Sequence, residues 1–532
     1  MNKKYTIILS FIACLNAISL LILPYLAKYL VDCAEKIIKD SSVGYNDFNK
    51  YLILMIIFGA VTIVLRFIYN FTYSHFDLKM QKDLREELYN SLIYKNVNEL
   101  NKYHRGEIEA LFVGDVDNVC EAYLDSIPSI VRSISRAFLA IVLLVIIGGA
   151  IYFLPVVLIA GILMTILAKV YSNFMKPKHK EVLALDSKAS SFVIETIDEA
   201  KLIQSYNAYD NAIDYYKNLN YEAYKKRSNR NKWSYTSSSI MGAMSSVLYV
   251  FMISFGAYLI SKDKITYGAL VALLAILNNI YNPFVMISPL LNRYQRGRAS
   301  YDRIMEIYNM NEEEDKSLID NVDSIIIDNV SYSYDGTVNI INNLSFIIKK
   351  GDIVRISGPS GIGKTTLINM ILGFNRPQSG NISFKYLDNL YEASFKTRGL
   401  IAYVSQENIL FSGSIYDNFK LFSNVSDINL INDALAKASI LDEINELPNG
   451  INTILKDKGA GLSIGQIQRI MVAIAIASNK PIIILDEPTS ALDKDNEVAM
   501  MNNLVSLGKT IIYISHKDSL IKDEKNICLV EE

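Results

Sequence analysis

The chain has 532 residues, of which 51% are hydrophobic and 20% charged, and its 53 Lys and Arg against 55 Asp and Glu leave a formal net charge of −2. No basic excess is left to displace counterions from a polyanion, so a nucleic-acid partner is excluded. The hydrophobic share and the positive mean hydropathy exceed what a soluble protein carries and point to a membrane part.

Four stretches carry no charge, 6–27, 137–168, 235–260 and 265–292, and a fifth, 52–71, is broken only by Arg66. Each is long enough for a bilayer core of about 30 Å, which takes about 20 helical residues. Arg66 lies toward one end of its stretch, where a long side chain reaches the headgroups. Met1-Asn2-Lys3-Lys4 before an apolar run also fits a signal peptide, but the run exceeds the usual h-region of about 7 to 15 residues. The stretch 137–168 is too long for one span. Gly148, Gly149 and Pro155 mark a turn in it, and extending it back past Arg136 and Arg132 gives spans near 127–148 and 152–173. The expected total is six.

Lys and Arg collect in two long segments, 74–136 and 169–232, among them Lys79, Arg85, Arg105, Lys176 and Arg230. By the positive-inside rule these segments are cytoplasmic. An even number of spans then leaves both termini in the cytoplasm of a multi-pass protein of the cytoplasmic membrane. Leu84, Leu88 and Leu92, and later Val193, Ile197 and Leu202, recur at helical spacing, so the spans are expected to continue as helices, the first of these reaching Leu100. Cys14, Cys33, Cys120 and Cys528 match neither a disulfide framework nor a zinc set.

Past Arg293-Tyr294-Gln295-Arg296 and the acidic Glu312-Glu313-Glu314-Asp315 the pattern changes to β-branched strands and amphipathic helices. The expected organisation is an all-α membrane domain over 1–315 and an α/β P-loop domain over 316–532. Within the second, Gly358-Pro359-Ser360-Gly361-Ile362-Gly363-Lys364-Thr365 stands between a strand, 353–357, and a helix from Thr366. Glycines let such a loop wrap a phosphate with its N–H groups inward, at a helix N-terminus that favours negative charge. Lys364 then bridges the β- and γ-phosphates of ATP and Thr365 ligates Mg²⁺. The apolar strand Pro481-Ile482-Ile483-Ile484-Leu485 ends in Asp486, expected on Mg²⁺, and Glu487, placed as a general base.

Between these two motifs lies Leu462-Ser463-Ile464-Gly465-Gln466. With it the chain resembles, over essentially its whole length, the ATP-binding cassette (ABC) half-transporters of exporter type. The resemblance implies further roles. Tyr334 stacks on adenine, with Tyr332 more suited to the core, and Thr366 completes the P-loop. Gln406 reaches Mg²⁺ and the attacking water. Ser463, Gly465 and Gln466, and Asp493 in Ser490-Ala491-Leu492-Asp493, meet the ATP of the opposite subunit, and His516 senses the γ-phosphate. Ile464 departs from the family, putting a β-branched residue where glycine is usual, and a slower site is expected. The sequence ends at Glu532 without the usual C-terminal helices, which is expected to touch stability and not chemistry.

An ATP held between one subunit's P-loop and the other's signature requires two chains. This chain has both Glu487 and His516 and so supplies two hydrolysing sites as a homodimer; a heterodimer stays open. Motion is expected to pass through the Gln406 loop to helices dipping near 97–106 and 204–213. Few charges in the spans favour an amphipathic or hydrophobic cargo, a small molecule, lipid or peptide. Asn16, Ser237, Ser245, Tyr249, Asn278, Asn279 and Asn282 are candidates either for lining a cavity or for helix-to-helix hydrogen bonds. With no peptidase domain ahead of the spans in this sequence, a leader-cleaving exporter is not expected, and a peptide matured elsewhere stays open as cargo. Import by an exporter-like fold, as in siderophore uptake, and a sensor or immunity role are the alternatives.

Overall fold

The computed structural model describes residues 3–39, 44–103, 105–147, 152–312, 319–334, 336, 339–359, 361–407, 409–456, 459, 461–488, 494–515, 521 and 524–529. Contacts divide the chain into two compact units, Met1–Ile93 with His104–Asn309, and Tyr94–Tyr103 with Met310–Glu532.

The first unit is helical. It begins with α1 (Lys3–Lys39) and α2 (Tyr45–Ile93); α3 (Val97–Leu100) belongs to the second unit. Then come α4 (Arg105–Ala110), a π-helical turn at Leu111–Asp115, α5 (Val116–Cys120), another at Glu121–Ser126, and α6 (Ile127–Ile146). The long α7 (Leu154–Asp198), α9 (Tyr209–Ser261) and α10 (Tyr267–Tyr308) follow, with the short α8 (Ala200–Ser205) before α9. Among the described residues five helical runs hold an apolar window long enough to cross a membrane, α1, α2, Gly106–Ile146, α7 and α9. The 42-residue α10 is the sixth long helix, and each expected span falls on one of the six.

The first break comes where a short polar residue competes for a backbone donor. Asn96 is extended (φ −61°, ψ 128°) and its side chain accepts from the Asn98 N–H, so the first extension ends at Ile93 instead of Leu100. The second pauses at Glu199, before α8. The first break borders the stretch 97–106, and the second lies ahead of 204–213, where the chain turns again at 206–208 between α8 and α9. α10 starts at Thr266, whose hydroxyl accepts from the Ala269 N–H. It then runs close to α1, since a Cβ on Gly268 would stand 2.1 Å from the Lys28 carbonyl oxygen. Lower down it packs against the π-helical turns, where buried Asp115 accepts from Ser300 Oγ at 2.7 Å and Arg303 Nε at 2.8 Å. All four cysteines are free.

The second unit holds two sheets. β1 (Ser324–Tyr332), β2 (Ile341–Lys349), β4 (Ser379–Tyr386) and β5 (Asn389–Glu392) form an antiparallel sheet in the order β2-β1-β4-β5. β3 (Ile353–Ser357), β6 (Ile401–Val404), β9 (Ile482–Asp486), β10 (Thr510–Ile514) and β11 (Lys525–Cys528) form a parallel sheet in the order β11-β3-β10-β9-β6. Every residue of β9 and β10 is buried, as expected for parallel strands covered on both faces. α11 (Lys364–Ile371) follows β3, and α12 (Phe395–Arg398) precedes β6. A mostly helical segment follows, made of α13 (Ile415–Ser423), α14 (Ile428–Lys437), α15 (Leu441–Glu446) and α16 (Ile464–Ala477), with a small antiparallel pair of β7 (Gly413–Ser414) and β8 (Ile454–Leu455) that brackets the first three of these helices. α17 (Lys494–Ser506) precedes β10.

Candidate functional site

Register brings the motifs together. In the parallel sheet Ile514 is level with both Ile356 and Asp486, and Val404 is level with Leu485. The residues that follow these strands therefore leave the same edge side by side: Gly358 after β3, Glu487 after β9, Ser405 and Gln406 after β6, and Ser515 after β10. Ligands of open α/β sheets bind outside this carboxyl edge. His516, Ser360, Asp493 and 490–492 lie outside the described residues.

The loop into α11 needs its glycines. Gly358, Gly361 and Gly363 take φ of 144°, 85° and 102°, a region that costs other residues about 1–2 kcal/mol. A Cβ on Gly358 would stand 2.6 Å from the Leu529 carbonyl oxygen, and one on Gly363 would stand 2.5 Å from Ile340 Cγ2. Lys364, the first residue of α11, is buried and donates to the carbonyls of Gly358 and Pro359, both at 2.8 Å. Its ammonium thus lies across the loop. Thr365 Oγ1 donates to Asp486 Oδ2 at 3.2 Å.

Asp486 is 1% exposed. Burial pushes its carboxyl above the ordinary range, with Glu487 adding to this and Thr365 and Lys364 opposing it. A buried carboxylate beside a hydroxyl, both hard oxygen donors, is chemically suited to Mg²⁺. Tyr403, in the neighbouring strand, is likewise pushed up by burial and by Asp486. Glu487 is half-buried and strained, with φ of 53°. Its carbonyl accepts from Gln468 Nε2 at 2.8 Å. Gln468, 1% exposed on α16, ties the segment that follows the signature to the end of β9. Nothing in the sequence singled out Gln468 or Tyr403, which look like ordinary helix and strand residues.

Tyr334 is 64% exposed and its hydroxyl lies 3.2 Å from Thr366 Oγ1. Tyr332 meets it edge-on at 5.1 Å and packs on the sheet core. The exposed ring beside the P-loop helix is thus Tyr334. Gln406 is exposed in the turn past β6.

Ser463 caps α16. Its hydroxyl accepts from the Gln466 N–H at 3.2 Å, and Gln466 Oε1 accepts from the Ser463 N–H at 2.8 Å, a capping box. Gln466 also donates to Glu443 at 2.9 Å, so its amide is engaged within the chain. Ile464 is 65% exposed and its φ is not positive. Its extra Cβ strains nothing in its own subunit, and any effect on turnover would fall on what faces it.

Sequence reasoning joined the stretch near 97–106 to the Gln406 loop and did not foresee the contact that this stretch makes past α11. In this unit Asn98 Nδ2, on α3, donates to the Phe374 carbonyl at 2.7 Å and to Asn375 Oδ1 at 3.1 Å, just past α11. Of the polar span candidates, Asn16 accepts from Arg136 at 3.3 Å, and Asn279 donates to Ala275 of its own helix at 3.3 Å. Both serve helix contacts. Ser237 lines a cavity whereas Ser245 and Tyr249 lie outside its lining, and the side chains of Asn278 and Asn282 lie outside the described residues.

Comparison with known proteins agrees over both units. The family described as "ABC transporter transmembrane region" matches residues 6–284, and that described as "ABC transporter" matches 341–490. The chain is 29% identical to the ATP-dependent lipid A-core flippase of Saccharophagus degradans, over 87% of this chain and 79% of that protein. It is also 29% identical to the lactococcin-A transport/processing ATP-binding protein of Lactococcus lactis, over 80% of this chain and 60% of that protein. A solved bacterial Atm1-family ABC exporter with ATP bound shares the fold, with TM-score 0.77 at 20% identity over 99% of this chain and 93% of that one.

Proposed function

The chain belongs to the ABC transporter family, and on that premise we propose that two copies of it, set in the cytoplasmic membrane with both termini inside, export an amphipathic or hydrophobic compound, lipid or peptide. It is an ATP hydrolase coupled to transport. Lys364 and the loop N–H groups hold the phosphates, Tyr334 stacks on adenine, and Glu487 takes the proton of the attacking water. Thr365, Asp486 and Gln406 would hold Mg²⁺, which supplies positive charge against the phosphate oxygens. Ser463, Gly465 and Asp493 meet the ATP of the second copy, and His516 its own.

The observation that carries this reading is the shared edge where the P-loop, Asp486–Glu487 and Ser405–Gln406 emerge. The names of the two relatives point to a lipid and to a lactococcin.

The test is the mass of purified Glu487→Gln in saturating ATP. A persistent ATP-bound species of twice the chain mass is expected, because nucleotide clamps two copies that cannot then hydrolyse it. A variant that stays monomeric, or turns ATP over at the normal rate, overturns the roles given to Glu487 and to the pair.

A further inference from the structure

In the first unit a cavity of ≈ 560 Å³ opens between α7, α9 and α10. Lys176 and His179 reach it from α7, Arg230, Ser234 and Ser237 from α9, and Asn292 from α10. Among the described residues no carboxylate lines it. Among the described residues neither Lys176 nor Arg230 forms an ion pair, and Arg230 donates only to the adjacent Asn231 amide, at 3.2 and 2.9 Å. The same helices do pair their neighbouring cations, Lys226 with Glu181 at 2.8 Å and Arg227 with Asp186 at 2.6 Å. Lys176 and Arg230 therefore bring uncompensated positive charge to a hollow whose lining mixes polar and apolar groups.

Further along the same two helices the groove turns apolar. Ile159 and Leu163 of α7 face Met244, Val247 and Phe251 of α9, again around ≈ 560 Å³. On α9 the residues 230, 234, 237, 241, 244, 247 and 251 recur every three or four positions, so polar and apolar lining form one stripe on one face. From Ser234 to Met244 the rise is about 15 Å at 1.5 Å per residue.

We propose that cavity and groove are one bipartite site for an amphiphile with an anionic head group and a long alkyl or acyl tail. Lys176, His179 and Arg230 meet the head, with Ser234, Ser237 and Asn292 as hydrogen-bonding partners. The groove takes the tail. The inference rests on the reading of the chain as a transporter and gives its cargo a charge.

The chain carries its own reporter. Trp233, its single tryptophan, packs edge-on against Phe174 of α7 at 5.0 Å, beside the cavity. The full chain in neutral-detergent micelles is titrated with dodecyl phosphate, dodecyltrimethylammonium and octyl phosphate while Trp233 emission is read. A saturable change with dodecyl phosphate is expected, with a dissociation constant at least tenfold below that of the ammonium compound. Octyl phosphate is expected to bind at least tenfold more weakly than dodecyl, since each buried methylene is worth about fourfold. Lys176→Gln with Arg230→Gln should raise the dodecyl phosphate constant at least tenfold. Equal response to both head charges in the unaltered chain overturns the proposal, whether or not the variant folds. Equal response to both chain lengths removes the tail half. ATP hydrolysis by the same preparation separates the two readings: hydrolysis without charge discrimination removes only this site, whereas discrimination without hydrolysis leaves the site and removes the reading of two copies of this chain as a sufficient ATP hydrolase.

Discussion

Gly363 is where the structure puts a number on the P-loop. Gly363→Ala forces a side chain into φ of 102° and sets its Cβ 2.5 Å from Ile340 Cγ2. The backbone term is about 1–2 kcal/mol, and displacing a β-branched neighbour adds about 1–3 kcal/mol of overpacking. Gly361 has φ of 85° but nothing within 4 Å of its Cβ, so Gly361→Ala carries the backbone term alone. The cost appears as lost stability where the loop keeps its shape and as lost ATP affinity where it relaxes. Fluorescent-nucleotide titration and the thermal midpoint of the full chain are therefore read together. At about tenfold per 1.4 kcal/mol, Gly361→Ala should weaken ATP binding by about 5- to 30-fold at most, and Gly363→Ala by a further 5-fold or more. Ile340→Ala should recover the second part in the Gly363→Ala background, a coupling that a double-mutant cycle isolates. Equal effects at 361 and 363, or no rescue, would refute the assigned contact.

Three more expectations follow from named contacts. Because burial raises the Asp486 carboxyl, its stabilising contribution is largest when protonated and falls as pH rises through that raised value, whereas a cation is held only by the carboxylate. Asp486→Asn should therefore leave the midpoint at neutral pH equal or higher and lose at least tenfold in Mg²⁺-dependent nucleotide affinity, and the wild-type affinity should fall as pH drops through that raised value, as nucleotide titrations at stepped pH would show. Burial also pushes Asp115 up, but its bonds from Arg303 and Ser300 outweigh this and hold it below the ordinary carboxylate value. Its stabilisation is present above that ordinary value and lost as pH falls through the lowered one, so Asp115→Asn should cost about 1.5–3 kcal/mol at neutral pH and progressively less as pH falls through that lowered value, by denaturant unfolding at stepped pH. Asn98→Ala removes both bonds from α3 to Phe374 and Asn375, worth together about 1 kcal/mol at this exposed position; hydrogen exchange over 94–103 should quicken about fivefold, and unchanged exchange would show the contact to be idle.

The sequence shows its spans because lipid-facing and core-facing residues alike must be apolar, leaving long runs that Arg66 interrupts only once. The P-loop and the β9 acids are legible for a different reason: phosphate chemistry demands these residue types in this order, and the strand 353–357 is β3 as observed. The helix breaks were harder to see. Asn96 competes locally for a backbone donor, and the chain leaves helical geometry at Glu199 with no side-chain cap, neither of which periodicity registers. Contacts between distant segments were invisible, including Asn98 with Phe374, and Gln468 with Glu487. So was the stripe on α9, since a polar half and an apolar half of one face resemble two unrelated helix segments until α7 is laid beside them.

The central claim, that this chain alone builds a hydrolysing ATP site around Asp486 and Glu487, is met most directly by the ATPase rate of the purified chain in lipid nanodiscs beside Glu487→Gln. Magnesium-dependent hydrolysis in the wild type, falling at least a hundredfold in the variant, is expected. Equal rates in the two would contradict the base assigned to Glu487, and no hydrolysis in the wild type would contradict the sufficiency of a homodimer.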